Sequence, residues 1–488
     1  MSGIDSVGRG ICGDLAALAA QVRADLARTA HPDMPWLTPV KAPDGRNAVD
    51  VLIAGAGQSG LAIAFALQRS QVGNILVVDK AREGQEGPWL TYARMPTLRS
   101  PKSYTGPDLD MPSLTYQAWH EASFGEQSWR ELDLIRRESW AHYLLWYRRV
   151  LDLPVRNECE LVDIAPAANG LLRATLRSAD GEETRYARKI VLATGQEGMG
   201  EWSIPGPLAH LPAARCVNGA APIDFEALRG KRVAVIGAGA TAFDNAAMAL
   251  EAGAAEVHLL CRRAEIQLVQ PYRWLTFRGF LRHFSELDDV WRWRFMRTIL
   301  ELREGFPQAT YDRCARHETF FLHEDAPVDA AVETSDGVVL QTLRGAIVAD
   351  LVICATGILM NFAGRPELKT CAHNIARWVD RYTPPPQEQN GRLAEFPYLA
   401  DDYALCERIP GQTPWIADIH LFAIASTMSF GPSGSSINAM TTAVPKLVHG
   451  ITRGLFRADI EKHWAALQAY DVPQAVIRRT RAQAGGDA

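Results

Sequence analysis

One succession of segments occurs twice in this chain. Residues 49–54 (VDVLIA) read as an apolar strand and run into the glycine turn GAGQSG at 55–60. A helix-like stretch follows, then a second strand, ILVVD, that ends at Asp79. Residues 231–236 (KRVAVI) run into GAGATA at 237–242, then FDNAAMALEAG and the strand EVHLLCRR. Later in each unit, alternating residues surround an Asp-Gly turn, which is a strong hairpin signal. Each unit closes on an apolar strand and the tripeptide ATG, at 193–195 and 355–357. A succession this long constrains the fold more than any local propensity does.

Strand, glycine turn, helix, strand is the order of a parallel α/β unit. The repeat therefore predicts an α/β protein with two Rossmann-like dinucleotide-binding domains, the second inserted in a discontinuous first, with helical insertions. The length of 488 residues suggests about three domains, and the repeat reduces that count to two. The expected boundaries are an N-terminal helical extension at 1–47, the first domain at 48–202 with an insertion near 105–151, and the second at 203–352 with an insertion near 264–325. The first domain resumes at 353–455, and 456–488 form a tail. Within the extension, Leu15, Leu18, Val22 and Leu26 have helical spacing. The stretches 113–151 and 264–325 are rich in Trp, Tyr and Arg and read as mostly helical, covering a substrate pocket.

GAGQSG follows a strand, opens a helix and precedes an acid, Asp79, by 19 residues counted from Gly60. In that context Gly55 makes the tight turn, Gly57 admits a pyrophosphate to the backbone, and Gly60 allows helix and strand to pack. The helix N-terminus faces the phosphate charge, and Asp79 would accept hydrogen bonds from a ribose diol. GAGATA carries Ala242 in the third position, where a small side chain suffices. No carboxylate ends its second strand; Arg262 and Arg263 stand there instead. Guanidinium groups bind a ribose 2′-phosphate that a carboxylate would repel. An acid at one site and arginines at the other predict FAD and NADPH respectively.

The candidate cofactor-binding residues are Gly55, Gly57, Gln58, Ser59, Gly60, Asp79 and Lys80 at the first turn, with Trp89 beyond it. At the second turn they are Gly237, Gly239, Ala240, Thr241, Arg262 and Arg263. Thr194 and Gly195, Thr356 and Gly357 complete the two ATG ends. In the stretch SFGPSGSSINAM, Ser435 opens a helix whose N–H groups suit negative charge on a reduced flavin.

Composition excludes several classes. The chain is 47% hydrophobic and 22% charged with a net charge of -5, too balanced for a dedicated nucleic-acid binder. No run approaches the ~20 apolar residues of a membrane span; IHLFAIA at 419–425 fits a buried strand. Eight cysteines are scattered singly without a CxxC pair or a secretory leader, which predicts reduced thiols in the cytoplasm. Cys314 and Cys371 stand near His317 and His373, but the paired elements of a structural zinc site are missing, so no metal is expected. No GxSxG elbow supports acyl-transfer hydrolysis.

Taken together, GAGQSG with Asp79, GPW at 87–89, GAGATA with Arg262, and both ATG ends resemble the flavin-containing (class B) monooxygenases. The resemblance spans roughly residues 48–455. It implies an NADPH-dependent FAD monooxygenase in which the flavin forms a peroxide adduct with oxygen and oxygenates a small organic substrate. Baeyer–Villiger members of that family carry a histidine-bearing FxGxxxH signature between their domains. Here the linker reads LPAARCVNGAAPIDFEALRGKRVAVIG, with Asn218 near that place and His210 too far upstream. N- or S-oxygenation is thus favoured over carbonyl insertion. Arg99 and Lys102 follow GPW, where the resemblance brings the chain near the flavin, and are expected to donate to the flavin or its peroxide. Arg99, Lys102 and Asn218 are therefore the candidate catalytic residues.

The competing function is an NAD(P)H-dependent flavin reductase acting on a quinone or another acceptor, since a disulfide reductase would require the missing CxxC. A non-catalytic nucleotide sensor would show a broken glycine loop, and both loops are intact. The substrate class expected is apolar or anionic. No nucleic-acid or membrane partner is expected, and the oligomeric state is left open, a homodimer included.

Overall fold

The apolar runs and glycine turns organise two parallel sheets. A computed structural model describes residues 14–302, 304–434 and 436–477. Helix α1 (Asp14–Arg28) forms where its leucines predict and buries Val22. Strand β1 (Val49–Ala54) is buried beyond its first residue, as a central strand covered on both faces must be. Helix α2 (Gln58–Arg69) crosses over to β2 (Ile75–Val78), which pairs with β1 in parallel.

The aromatic-rich stretch folds into α3 (Tyr116–Phe124), α4 (Glu126–Glu131) and α5 (Arg137–Val150). Trp140, Tyr143 and Tyr147 on α5 are fully buried, and Tyr143 and Tyr147 donate to the carbonyls of Leu114 and Pro107 at 2.7 and 2.6 Å. Their apolar bodies fill the first core while each hydroxyl keeps a partner.

Strand β3 (Val155–Arg156) extends the β2 edge, while β4 (Glu160–Pro166), β5 (Leu172–Ser178) and β6 (Gly181–Gly195) form a meander. Strand β6 changes partner along its length. Residues 181–187 pair antiparallel with β5, and residues 187–192 run parallel to β1. The expected Asp-Gly hairpin joins β5 to β6, with Ser178 opposite Gly181.

The second sheet repeats the plan after a short strand β7 (Gly200–Trp202). Its strands β8 (Cys216–Asn218), β9 (Arg232–Ile236) and β10 (Glu256–Leu260) are parallel, with α6 (Ala240–Glu251) crossing between β9 and β10. The stretch 264–325 holds α7 (Pro271–Trp274), α8 (Arg278–His283), α9 (Asp289–Leu302) and α10 (Gln308–Ala315). One correction applies there. Its end is β11 (Phe320–His323), pairing in parallel with β10. A run as short as FFLH has no readable period, and its state is decided by the free edge of β10.

A second meander, β12 (Val328–Thr334), β13 (Gly337–Thr342) and β14 (Gly345–Ala349), precedes β15 (Leu351–Cys354). Strand β15 lies between β9 and β8, giving the order β11-β10-β9-β15-β8. Strand β16 (Ile358–Met360) pairs antiparallel with β7, and a turn of helix, α11 (Gly391–Ala394), follows. The chain then returns to the first sheet. Strand β17 (Ile419–Ala423), wholly buried, runs parallel to β6 as β8 does to β15. Helices α12 (Thr427–Phe430), α13 (Met440–Ala458) and α14 (Ile460–Gln468) close the chain, and α13 packs on α2. Among the described residues, no helix is long and apolar enough to cross a membrane.

Each glycine turn is pressed against the backbone of its own ATG. A Cβ on Gly55 would lie 2.4 Å from the Ala193 carbonyl oxygen, and one on Gly237 would lie 2.5 Å from that of Ala355. Both residues hold positive φ, +107° and +125°, which glycine adopts freely. Gly237→Ala is therefore expected to cost about 3 kcal/mol or more from overlap and strained φ together, read as a lowered midpoint in urea. Gly239→Ala, with nothing within 4 Å of the added methyl, is expected to leave that midpoint within about 1 kcal/mol.

Candidate active site between two glycine turns

At the first turn α2 starts from Gly57 with no side-chain cap, so its leading N–H groups face outward. Around Gly57 only the Gly87 backbone comes close, at 3.8 Å from a would-be Cβ. That leaves an open approach to the N–H groups of Gln58, Ser59 and Gly60. Asp79 sits just past β2 and accepts from the Ala56 and Ala81 N–H groups at 2.7 and 2.8 Å. Two bonds fix the carboxylate beside the turn and leave acceptor capacity for a diol.

Gln58 accepts from the Trp140 indole at 3.3 Å, tying the turn to α5. Trp89 lies edge-on to Trp140 at 6.1 Å and is buried, with its indole N–H unpartnered. A buried donor without a partner is costly in a finished protein and marks a place where a ligand acceptor fits. Lys80 reaches instead to Glu197 at 3.0 Å on the exposed rim. Thr194 and Gly195 end β6 beside Gly198, whose added Cβ would meet the Thr194 hydroxyl at 2.6 Å.

The second turn is built alike. Helix α6 starts from Gly239 without a side-chain cap; Ala240 and Ala242 are buried beneath it and Thr241 is exposed. The Thr356 hydroxyl donates to the Ser203 carbonyl at 2.6 Å, and the Ser203 N–H donates to Gly357 at 2.9 Å. These bonds stitch the second ATG to the crossing between the two sheets. Both turns thus offer uncapped helix N-termini and unobstructed backbone, which fit the phosphates of a dinucleotide.

Three of the expected site residues are engaged with protein partners. Lys102 donates to the carbonyls of Trp129 and Leu132 at 2.7 and 2.5 Å and lies over the Trp129 ring. It caps the end of α4. Arg263 donates to the Glu301 and Leu302 carbonyls at 2.6 and 3.4 Å, capping α9 rather than facing a phosphate. Arg99 pairs with Asp244 of α6 at 2.5 Å and lies 3.8 Å from Glu304, so it ties the GPW segment to the second sheet's crossover helix. Burial pushes the Asp244 carboxyl up from its ordinary range, while Arg99 and Arg313 draw it back. Arg262 remains exposed at the end of β10. Ser435 lies outside the described residues.

Asn218 ends β8 at the carboxyl edge of the second sheet, where ligands of such sheets bind, and its side chain accepts from the Ala220 N–H at 2.9 Å. The structure brings to it Arg94, a residue with no signal in the sequence. Arg94 donates to Thr91 at 2.9 Å and to Ala221 at 2.8 Å, crossing from the GPW segment to the loop after Asn218. Its guanidinium lies over Phe225, and its Nε has no partner. Burial, with Arg137 beside it, pulls its pKa below the ordinary value, and among the described residues it has no ion-pair partner. A half-buried cation without a counter-ion invites an anion.

The fold and the paired turns define an oxidoreductase of the two-dinucleotide-binding-domain class. The family of pyridine nucleotide-disulphide oxidoreductases matches residues 52–277. An FAD-dependent urate hydroxylase of Xanthomonas campestris is 41% identical over 464 residues, 95% of this chain and 97% of its own. The ornithine hydroxylase of Pseudomonas aeruginosa superposes with a TM-score of 0.64 at 16% identity, covering 84% of this chain and 100% of its own. The L-lysine 6-monooxygenase of Pseudomonas syringae gives 0.64 at 18% identity, covering 83% and 99%. The chain belongs to the flavin-dependent monooxygenases, the family of that urate hydroxylase.

Removing the Arg99 side chain leaves Asp244 buried with only Arg313, 3.5 Å away. Arg99→Met is expected to cost about 2 kcal/mol, below the loss for a wholly buried pair because Arg99 is one-quarter exposed. Adding Asp244→Asn should recover part of that loss. Additive losses in urea denaturation would show that the two side chains are not coupled.

Proposed function

We propose that this chain is an NADPH-dependent FAD monooxygenase that oxygenates a small, planar, acidic heterocycle of the urate kind. The observation that carries this reading is the pair of like-built glycine turns with unlike charge, Asp79 beside one and Arg262 beyond the other. The urate hydroxylase relative, matched over almost its whole length, supports the substrate class. In this reading the first sheet, completed by β17, forms the FAD half, and the second sheet, through β15 and the ATG that follows it, forms the NADP half. The missing Baeyer–Villiger histidine weighs against carbonyl insertion. The scattered single cysteines, all seven described ones free thiols, support a reducing, cytoplasmic setting.

Bound FAD would supply the redox chemistry, accepting a hydride from NADPH and passing electrons to oxygen. The chain's own residues have simpler tasks. The N–H groups of Gln58 and Ser59 face the pyrophosphate, and Asp79 holds the ribose diol. Trp89 and Trp140 wall the first turn against water. Arg94 places positive charge beside Asn218, so an anionic ring gains an ion pair and an amide neighbour at one edge.

NADPH, urate and 18O-labelled dioxygen provide the test. One labelled oxygen atom in the product for each NADPH consumed is the expected outcome. Hydrogen peroxide in amounts equal to NADPH, with no labelled product but rapid quinone reduction, would replace this reading with the reductase. In a separate measurement, Arg94→Gln is expected to raise the KM for urate about tenfold, the scale of one lost charge-assisted hydrogen bond, and to change kcat less. An unchanged KM would remove Arg94 from substrate binding.

A further inference from the structure

We propose that Arg392 joins Arg262 in a guanidinium pair, assembled from segments far apart in the chain, that grips the 2′-phosphate of NADPH. The inference rests on the reading that the second glycine turn holds NADPH. It replaces Arg263, the neighbour that the sequence offered, with a residue 129 positions further on.

The placement follows from three contacts around the end of α9. Arg263 donates to the Glu301 carbonyl at 2.6 Å, which turns it away, while Arg262, just past β10, is exposed. Asn390 donates to the Glu301 carboxylate at 3.0 Å, which brings the start of α11 to the same place. Arg392, two residues on, donates to the Ile358 carbonyl at 3.1 Å, and Ile358 directly follows the second ATG. Segments 262–263 and 390–392 therefore meet on Glu301, with the Arg392 guanidinium held at the residue that follows the second ATG.

The charges at this place do not balance. Neither Arg262 nor Arg392 has an ion-pair partner among the described residues. Glu301, where the two segments meet, already pairs with Arg297 at 2.9 Å. Burial first, and then the neighbouring Arg262, pull the Arg392 pKa below its ordinary value. Two guanidiniums side by side repel each other unless an anion lies between them. A phosphate dianion accepts from both in the forked geometry that arginine presents. The ribose 2′ position of a nucleotide on this turn falls at the end of β10, where Arg262 stands. The pair would then act on cofactor choice, since NADH has no group to place between the two cations.

The experiment uses the full-length holoenzyme. It compares kcat/KM for NADPH and NADH, and binding of 2′,5′-ADP and 5′-AMP, in wild type, Arg262→Gln, Arg392→Gln and Arg392→Lys. Arg392→Gln is expected to lower the NADPH-to-NADH ratio at least tenfold and to weaken 2′,5′-ADP far more than 5′-AMP. Arg392→Lys should fall between, because an ammonium keeps the charge and loses the fork. Equal losses for NADPH and NADH would assign Arg392 a merely structural role and overturn the proposal, as would an unchanged ratio. If Arg262→Gln collapses the preference and Arg392→Gln does not, the pair is wrong while the NADPH reading stands. A wild type indifferent between NADPH and NADH would overturn both. Should Arg392→Gln fail to fold, as judged by flavin content and melting, Arg392→Lys decides: undiminished 2′,5′-ADP binding overturns the pair.

Discussion

The architecture depends on one close approach made twice, the glycine turn lying against the carbonyl of the ATG alanine. Would-be Cβ positions 2.4 and 2.5 Å from Ala193 and Ala355 leave no room for any other residue at Gly55 or Gly237. The contact aligns the end of β1 with the end of β6, and the end of β9 with the end of β15. With the strand ends level, α2 and α6 start at the carboxyl edges of their sheets with uncapped N–H groups facing outward. The two nucleotide cradles are consequences of that packing.

A second constraint is the joining of the halves. Polar strands of contact cross between them at Arg99 with Asp244, Arg94 with Ala221, and Thr356 with Ser203. These are specific and short, and the first two use arginines of the segment after GPW. The same segment therefore shapes the crevice and holds its sides in register. Its cations answer to tertiary partners, Arg99 to Asp244 and Lys102 to the end of α4, which spacing in the sequence does not reveal. A long cationic side chain near a site is as useful capping a helix or bridging two domains as it is touching a ligand.

The repeat was legible because it is written in periods and punctuation: apolar strands, glycine turns, Asp-Gly hairpins and the ATG ends. Each of these follows from local backbone geometry, so β1, α2, β9, α6 and both meanders lie where their residues place them. The edge strand β11 was not legible, since four residues carry no period and only the open side of β10 selects their state. Asp79 could be located beside the first turn because it stands a set distance beyond it. Arg94 and Arg392 could not, because no spacing relates them to the turns they approach.

The sequence by itself determined that two dinucleotide cradles exist, which strands carry them, and that one is flanked by a carboxylate and the other by arginine. Those properties are local, set by sterics within a few residues of each glycine. The tertiary structure alone decided which arginines remain without counter-ions. Arg263 and Lys102 are absorbed by helix ends and Arg99 by Asp244, whereas Arg94, Arg262 and Arg392 are among the described arginines left without an ion-pair partner. The reason is physical: electrostatic balance is summed over neighbours in space, and those neighbours come from segments 30 to 145 residues apart.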